Sequence, residues 1–203
     1  MESRRSQNLK RDLSNSVSVL QSNGLAVSGG FIVGFDNDPK NIFEQQIEFI
    51  NNSAIVTAMV GILNAPKGTK LFNRLKSENR LLEHYTGNNT DGSINFIPKM
   101  NYAELIKGYS KILSNIYSQK EYYERLKKFL QEYHLPKLKA KMISWDEIKI
   151  FFKLTWRIGI TEKGKKYFWK LLAFTIFRQP RKFVLAMTMA VYGFHFRRIV
   201  ETI

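Results

Sequence analysis

The sequence has no cysteine, few histidines and no long apolar run. Without cysteine, its 203 residues can form no disulfide, no thiolate metal site and no cysteine nucleophile. The three histidines, His84, His134 and His195, share no metal-ligand spacing, which favours ordinary surface or core roles. A Gly-x-Ser-x-Gly elbow is also missing, and no residue is assigned a catalytic role.

The sequence shows no clear targeting segment. The first six residues, MESRRS, are polar and precede no apolar run, so no signal peptide is predicted. The longest apolar stretches, 168–177 and 183–196, are shorter than the roughly 20 residues of a membrane-spanning helix. We therefore expect no transmembrane segment and a cytoplasmic location, with peripheral membrane contact left open.

Acidic residues are scarce in the second half of the chain. Residues 1–98 hold 10 basic and 9 acidic residues, whereas residues 99–203 hold 22 basic and 8 acidic residues. Such a basic half could meet nucleic acid, an anionic membrane or an acidic partner, or it could consist of solvated helix faces. No nucleic-acid-binding motif is present, which makes nucleic acid an unlikely partner.

The first half alternates helices and strands. Apolar spacing predicts a helix over residues 8–23, ended by Gly24. Continuous apolar runs at 25–35 and 54–63 predict strands buried on both faces, and a helix capped by Asp38 lies between them. A third helix is expected over 70–79. Because short links join strand, helix and strand, the strands should be parallel, and two of them are too few for an independent sheet.

The second half is predicted to be helical throughout. The polar stretch at 83–94 is predicted to be a linker. Helices are expected at 102–118, 119–133, 145–158, 164–177 and 180–201. Ser144 and Glu147 have capping-box spacing at the start of the third of these helices. The predicted organisation is therefore α/β over 1–82, a linker over 83–94, and all-α over 95–203.

Two glycine-marked strand ends carry the main functional pattern. They read GGFIVGFDND at residues 29–38 and VGILNAPKGT at residues 60–69. Ligands of parallel α/β sheets sit at the carboxyl ends of strands, and glycine lets a ring or backbone approach closely. Ile32 and Val33 would offer an apolar surface, and Asp36 and Asn64 could bond polar edges of a ligand. The alternative is that these glycines only mark turns and tight packing.

Taken together, these strands resemble the fifth and sixth strands of a radical S-adenosylmethionine (SAM) barrel. The resemblance continues in NFIPKM at 95–100 and GFHFR at 193–197, which look like the helical domain of unknown function that follows the barrel in cobalamin-binding members. It implies a partial (βα) barrel end, about two parallel strands with helices, followed by a helical C-terminal domain. It also implies SAM, a four-iron–four-sulfur cluster and cobalamin as family cofactors, and a possible methyltransferase reaction. The residues carried over as SAM-binding are Gly30, Ile32, Gly34, Asn37, Gly61, Leu63 and Asn64.

The chain departs from that family in two ways. The family's Gly-x-Ile-x-Gly-x-x-Glu pattern ends here in Asn37, and the cluster cysteines and the cobalamin domain are missing. The resemblance implies an enzyme fragment or subunit that is inactive alone. Its expected partner is the missing cobalamin- and cluster-binding part, supplied in cis or in trans.

The basic helical half leaves a second, non-enzymatic interpretation open. Lysines and arginines between residues 163 and 182 flank six aromatic residues, from Tyr167 to Phe183. A basic, aromatic amphipathic helix can lie at a membrane interface. The same pattern also suits a core stripe of aromatics with Lys and Arg side chains extending around it to solvent.

Overall fold

The computed structural model describes residues 12–82, 93–136 and 145–202. Within these ranges the chain forms an α/β part followed by a mostly helical remainder, which confirms the predicted fold class. The first part contains α1 (Leu13–Ser22), β1 (Ser28–Val33), α2 (Ile42–Asn52), β2 (Thr57–Ile62) and α3 (Lys70–Ser77). The second part contains α4 (Tyr102–Ile116), α5 (Gln119–Glu132), α6 (Trp145–Trp156), a π-helical turn (Arg157–Thr161), α7 (Lys165–Arg178), a 3₁₀ turn (Pro180–Lys182) and α8 (Phe183–Val200).

The two strands are parallel, as predicted. Ser28 pairs with Thr57 at one end of the sheet and Val33 pairs with Ile62 at the other. The crossover through α2 gives the strand–helix–strand unit expected from the short links. In the described residues the sheet contains these two strands alone.

The burial predicted for the strands is wrong. Of β1, Val33 is the fully buried residue, and exposed and partly buried positions alternate along the strand. In β2, Ala58, Val60 and Ile62 are buried, whereas Met59 is 66% exposed. The reason is that helices cover one face of the pair, and none of the described elements covers the other.

Capping side chains set the start of α1, whereas the predicted cap of α2 is wrong. Asp12 begins α1 by accepting hydrogen bonds from the backbone N–H groups of Ser14 and Asn15, and Gly24 follows its end with φ +83°. Asp38 does not cap α2, which begins at Ile42 after Asn41. The Asp38 carboxylate instead accepts from the N–H groups of Gly34 and Phe35, at 2.8 and 3.0 Å, and so folds the turn after β1.

Both halves contribute to one hydrophobic core. The buried Arg125 of α5 donates to the Asn51 side chain of α2 at 2.8 Å and to the Ile116 carbonyl at 2.9 Å. Burial lowers the pKa of Arg125, because desolvation disfavours its charged form. The proposed domain limits at 82 and 95 stay a prediction.

The last helices close over α5. The Tyr122 hydroxyl donates to the Met189 carbonyl of α8 at 2.6 Å, and its ring lies against Gly193. A Cβ atom at Gly193 would come within 2.2 Å of that ring, so this contact requires glycine. The predicted end of α6 at residue 158 is also corrected, because the α-helix stops at Trp156 and the π-helical turn follows. The capping box at Ser144 and most of the linker lie outside the described residues.

Candidate functional site

The open face of the sheet is the surface available to a ligand. On the opposite face, the rings of Phe31 and Phe49 meet edge to face at 5.9 Å, and the Tyr117 hydroxyl donates to the Ala58 carbonyl. These contacts fix α2 and the end of α4 on that side. Alternation along the strands then places six residues on the uncovered side, which we call the open face: Ser28, Gly30, Ile32, Thr57, Met59 and Gly61.

Three predicted residues lie together on the open face. Ile32 is paired across the sheet with Gly61, and Gly30 is paired with Met59. A Cβ atom at Gly30 or Gly61 would meet no atom within 4 Å, and the Ile32 side chain is 47% exposed. The two glycines therefore leave shallow space beside an apolar side chain. This arrangement suits the flat face of an aromatic ring.

Two other predicted residues are part of the packing at the strand ends. Gly34 has φ +101°, and a Cβ atom there would lie 3.3 Å from the Leu105 side chain of α4. Leu63 is 7% exposed, and its N–H donates to the Val33 carbonyl at 2.8 Å. Asn37 differs from both, since it is exposed in the turn after β1.

The amide of Asn64 is engaged with the chain itself. Its nitrogen donates to the carbonyls of Ile62 and Ser93, both at 3.3 Å, and its oxygen accepts from the Asn95 N–H at 3.1 Å. Asn95 in turn bonds the N–H and carbonyl of Ala65, both at 2.8 Å. This asparagine clamp, made of Asn64 and Asn95, holds the segment at 93–95 against the end of β2.

An ion-pair cluster at the rim of the sheet was not predicted. Asp36 follows β1, and its side chain is 4% exposed. Arg80 donates to its two carboxylate oxygens at 2.6 and 2.8 Å, and Arg74 donates at 3.1 Å. The hydrogen bond from Arg80 is the main cause that lowers the pKa of Asp36. Asp36 therefore pairs with two arginines of this chain, and the expectation that it bonds the polar edge of a ligand stays a prediction.

The acidic and imidazole side chains are dispersed. Across residues 12–82, 93–136 and 145–202, no group of three or more His, Asp or Glu side chains lies close enough to hold a metal ion. Iron–sulfur ligation requires thiolates, and the sequence offers none. The residues of this chain therefore do not fit a four-iron–four-sulfur cluster.

One described helix is long and apolar enough to cross a membrane. It is the segment Pro180–Val200, which joins the 3₁₀ turn to α8. Length and composition are weak grounds for a membrane span, because core helices of soluble proteins share them. Its most apolar stretch is nevertheless only 17% buried. The expected absence of a transmembrane segment stays a prediction.

Comparison with known proteins then gives the family. A family model described as a domain of unknown function, DUF4070, matches residues 69–203. The chain belongs to the DUF4070 family. It is 30% identical over 201 residues to a protein of Synechocystis sp. named uncharacterized methyltransferase sll1242, covering 97% of this chain. It is 24% identical over 161 residues, or 76% of the chain, to the hopanoid C-2 methylase of Rhodopseudomonas palustris.

These relatives are longer proteins. The chain spans 37% of the length of the Synechocystis protein and 30% of the length of the hopanoid methylase. No solved structure matches the chain. The names of both relatives agree with the methyltransferase reaction that the resemblance in the sequence implies.

The DUF4070 match and the open face occupy different parts of the chain. The match begins at Thr69, whose hydroxyl caps α3 by accepting from the Phe72 N–H at 3.1 Å. It therefore includes Arg74, Arg80 and Asn95 but neither strand. The DUF4070 domain thus supplies the partners that hold the turns at both strand ends, while the strands precede it.

Proposed function

We propose that this chain is the C-terminal part of a cobalamin-dependent radical SAM methylase. In this proposal it contributes the SAM side of the site, and the cluster- and cobalamin-binding parts come from residues outside the chain, in cis or in trans. The observation that carries the proposal is the parallel strand pair with helices on one face and a glycine-bearing open face on the other. That arrangement is what a segment of a (βα) barrel shows when the rest of the barrel is absent.

The edges of the strand pair support the same reading. Within the described residues, β1 and β2 pair only with each other, so each has one unpaired edge. Exposed edges and an exposed apolar face are unfavourable in an isolated domain. Neighbouring strands of a longer chain or of a partner would pair with both edges and enclose the open face.

SAM is the family cofactor whose binding this chain's residues fit. We assign Ile32, Gly30 and Gly61 to the adenine ring, because the glycines leave space and Ile32 offers an apolar contact. Asn37 is exposed at the rim, where it can donate to or accept from a polar edge. Gly34, Leu63 and Asn64 would act indirectly, by fixing the strand ends on which the ring rests.

The chemistry itself belongs to cofactors. When bound, SAM and its partner cofactors supply the radical and the transferred methyl group. The residues of this chain bind and orient, and the ion pairs of Asp36 together with the asparagine clamp keep the two turns rigid. We place the assembled enzyme in the cytoplasm.

An assay for 5′-deoxyadenosine tests the proposal. The purified chain, with SAM, a reductant and reconstituted iron and sulfide, is expected to form none. The same chain co-expressed with the region of the Synechocystis relative that precedes the matched part should form it. Product from the chain alone would contradict the proposal, as would failure of an intact enzyme built by fusing the two parts.

A further inference from the structure

A line of large apolar side chains lies exposed on α6 and the turn that follows it. Phe152, Trp156 and Ile160 are 66%, 65% and 46% exposed. Their spacing of four residues places Phe152 and Trp156 one turn apart on the same side of the helix, with Ile160 continuing the line into the π-helical turn. We call these three residues the apolar ridge. Contiguous exposed apolar surface of this kind is typical of an interaction site.

A line of cations runs beside the apolar ridge. Lys153 and Arg157 directly follow Phe152 and Trp156 in the sequence, and both are exposed. Between residues 149 and 161 the sequence contains no Asp or Glu. The nearest following acid, Glu162, is 12% exposed and pairs with Arg198 at 3.3 Å, so it does not neutralise this surface.

A different side of α6 supplies its packing against the rest of the chain. The rings of Phe151 and Phe183 meet at 5.4 Å, which joins α6 to the start of α8. Ile158 in the π-helical turn is 2% exposed. The apolar ridge is therefore not the face that attaches this helix to the rest of the molecule.

The surface continues onto α7. The Trp169 indole N–H donates to the Gly159 carbonyl at 2.8 Å, which places Trp169 next to the end of the apolar ridge. Trp169 is itself 44% exposed. Ile176 lies seven residues after Trp169, on the same side of α7, and is 48% exposed. The adjacent Phe177 and Lys170 are exposed beside this line, Phe177 to 84%. The sequence interpretation of these aromatics as core holds for Phe168 but not for Phe177.

We propose that this surface, formed by the apolar ridge, its neighbouring cations and the exposed face of α7, docks on an anionic lipid bilayer. The aromatic side chains would enter the boundary between headgroups and acyl chains, where Trp is favoured. Lys153 and Arg157 would lie level with the lipid phosphates. Charge complementarity identifies the partner, because residues 145–203 carry 12 basic and 4 acidic residues. Nucleic acid fits this surface less well, because its charged phosphates would then contact the apolar ridge.

The absence of cysteine permits a site-specific test. Phe152→Cys and, as a matched control, Leu25→Cys each create one labelling site for an environment-sensitive fluorophore. Leu25 is 56% exposed and lies in the α/β part of the chain. With vesicles of phosphatidylcholine and phosphatidylglycerol, the label at 152 should shift to the blue and the label at 25 should not. Vesicles of phosphatidylcholine alone should shift neither.

Co-sedimentation tests the cations. Each Lys or Arg near an anionic surface strengthens binding about fivefold, so Lys153→Gln with Arg157→Gln should weaken binding to the anionic vesicles about 30-fold. Lys40→Gln with Lys76→Gln changes the same number of charges elsewhere and should have little effect. The proposal is overturned if the folded chain does not sediment with anionic vesicles at low salt. It is also overturned if the label at 152 is already blue-shifted without vesicles in a concentration-dependent way, which would show that a second copy covers the surface.

Discussion

Replacing Asp36 by asparagine should be among the most destabilising single changes at the rim of the sheet. The carboxylate lies between Arg80 and Arg74, with three N–O distances of 2.6, 2.8 and 3.1 Å. Asparagine has nearly the same shape but no charge. The variant therefore removes the buried anion between the two guanidinium groups and leaves them the more exposed carboxylate of Glu78.

The magnitude follows from the burial of the three groups. Removing one partner of a fully buried ion pair costs about 3–5 kcal/mol. Arg80 is 14% exposed and keeps bonds to Glu78 and the Ile97 carbonyl, and Arg74 is 38% exposed, so water recovers part of that loss. We expect Asp36→Asn to lower the free energy of unfolding by about 2–3 kcal/mol.

Urea unfolding followed by circular dichroism measures this loss, and its pH dependence checks the cause. The folded-state pKa of Asp36 lies below its usual value. The stability it contributes is therefore present above the unfolded pKa of about 3.9 and is lost as pH falls through the lower folded value. Wild type and Asp36→Asn should differ fully at pH 7 and converge in acid.

An exposed ion pair provides the control. Arg198 and Glu201 lie 3.1 Å apart and are each 51% exposed. Glu201→Gln should change the free energy of unfolding by less than about 1 kcal/mol. If Asp36→Asn unfolds at the same urea concentration as wild type at pH 7, the cluster does not stabilise the rim and the reasoning fails.

Three further expectations concern packing, the asparagine clamp and alkaline pH. Gly193→Ala should destabilise the chain by about 1–3 kcal/mol, because the new Cβ atom would lie 2.2 Å from the Tyr122 ring. Thermal unfolding measures this loss, and an unchanged midpoint would show that α8 can shift to accept the methyl group. Asn95→Ala removes two 2.8 Å hydrogen bonds to Ala65 and should lower the free energy of unfolding in urea by about 2–3 kcal/mol. A loss smaller than the error of the measurement would contradict a stabilising role of the asparagine clamp. Burial raises the pKa of Tyr117 and of Tyr123 to about 12. The free energy of unfolding should therefore fall as pH rises from about 10, where tyrosines of the unfolded chain ionise, towards 12. A titration of the folded chain in which every tyrosine ionises near pH 10 would contradict this.

Local pattern in the sequence was enough to predict the helices and the parallel strand pair. Leu9, Leu13, Val17 and Leu20 have helical spacing, and the structure places α1 over the described part of that segment. Gly30, Ile32 and Gly61 were assigned through the resemblance to a radical SAM barrel, whose motifs are short and local in the sequence. The structure brings these three together on one face.

The unpredicted contacts are those that join distant residues. Asp36 is separated by 38 and 44 positions from Arg74 and Arg80, and Asn64 by 31 from Asn95. No periodicity marks such pairs, since they depend on how the turn after β1 meets α3 and the following segment. The role of Asp38 was missed for a related reason, because an Asp before Pro suits both a helix cap and a turn.

The burial of β1 was predicted wrongly for a different reason. Its apolar sequence is typical of a strand covered on both sides, but in the described residues only one side is covered. The sequence pattern thus fits a sheet with more neighbours than the described residues provide. That mismatch is what the proposed assembly with further barrel strands would remove.

The most direct test of the account is the KM for SAM of an assembled enzyme carrying Gly61→Val. No atom lies within 4 Å of the position that a Cβ at Gly61 would occupy, so the chain should fold with an unchanged unfolding midpoint. Ser28→Val places the same valine side chain on the same open face, at the amino end of β1, and serves as the control. If the adenine ring rests on Ile32 and Gly61, Gly61→Val should raise the KM for SAM in 5′-deoxyadenosine formation at least about tenfold, the equivalent of 1.4 kcal/mol of binding, while Ser28→Val leaves it unchanged. Equal KM values for wild type and Gly61→Val would contradict the assignment of the open face to SAM.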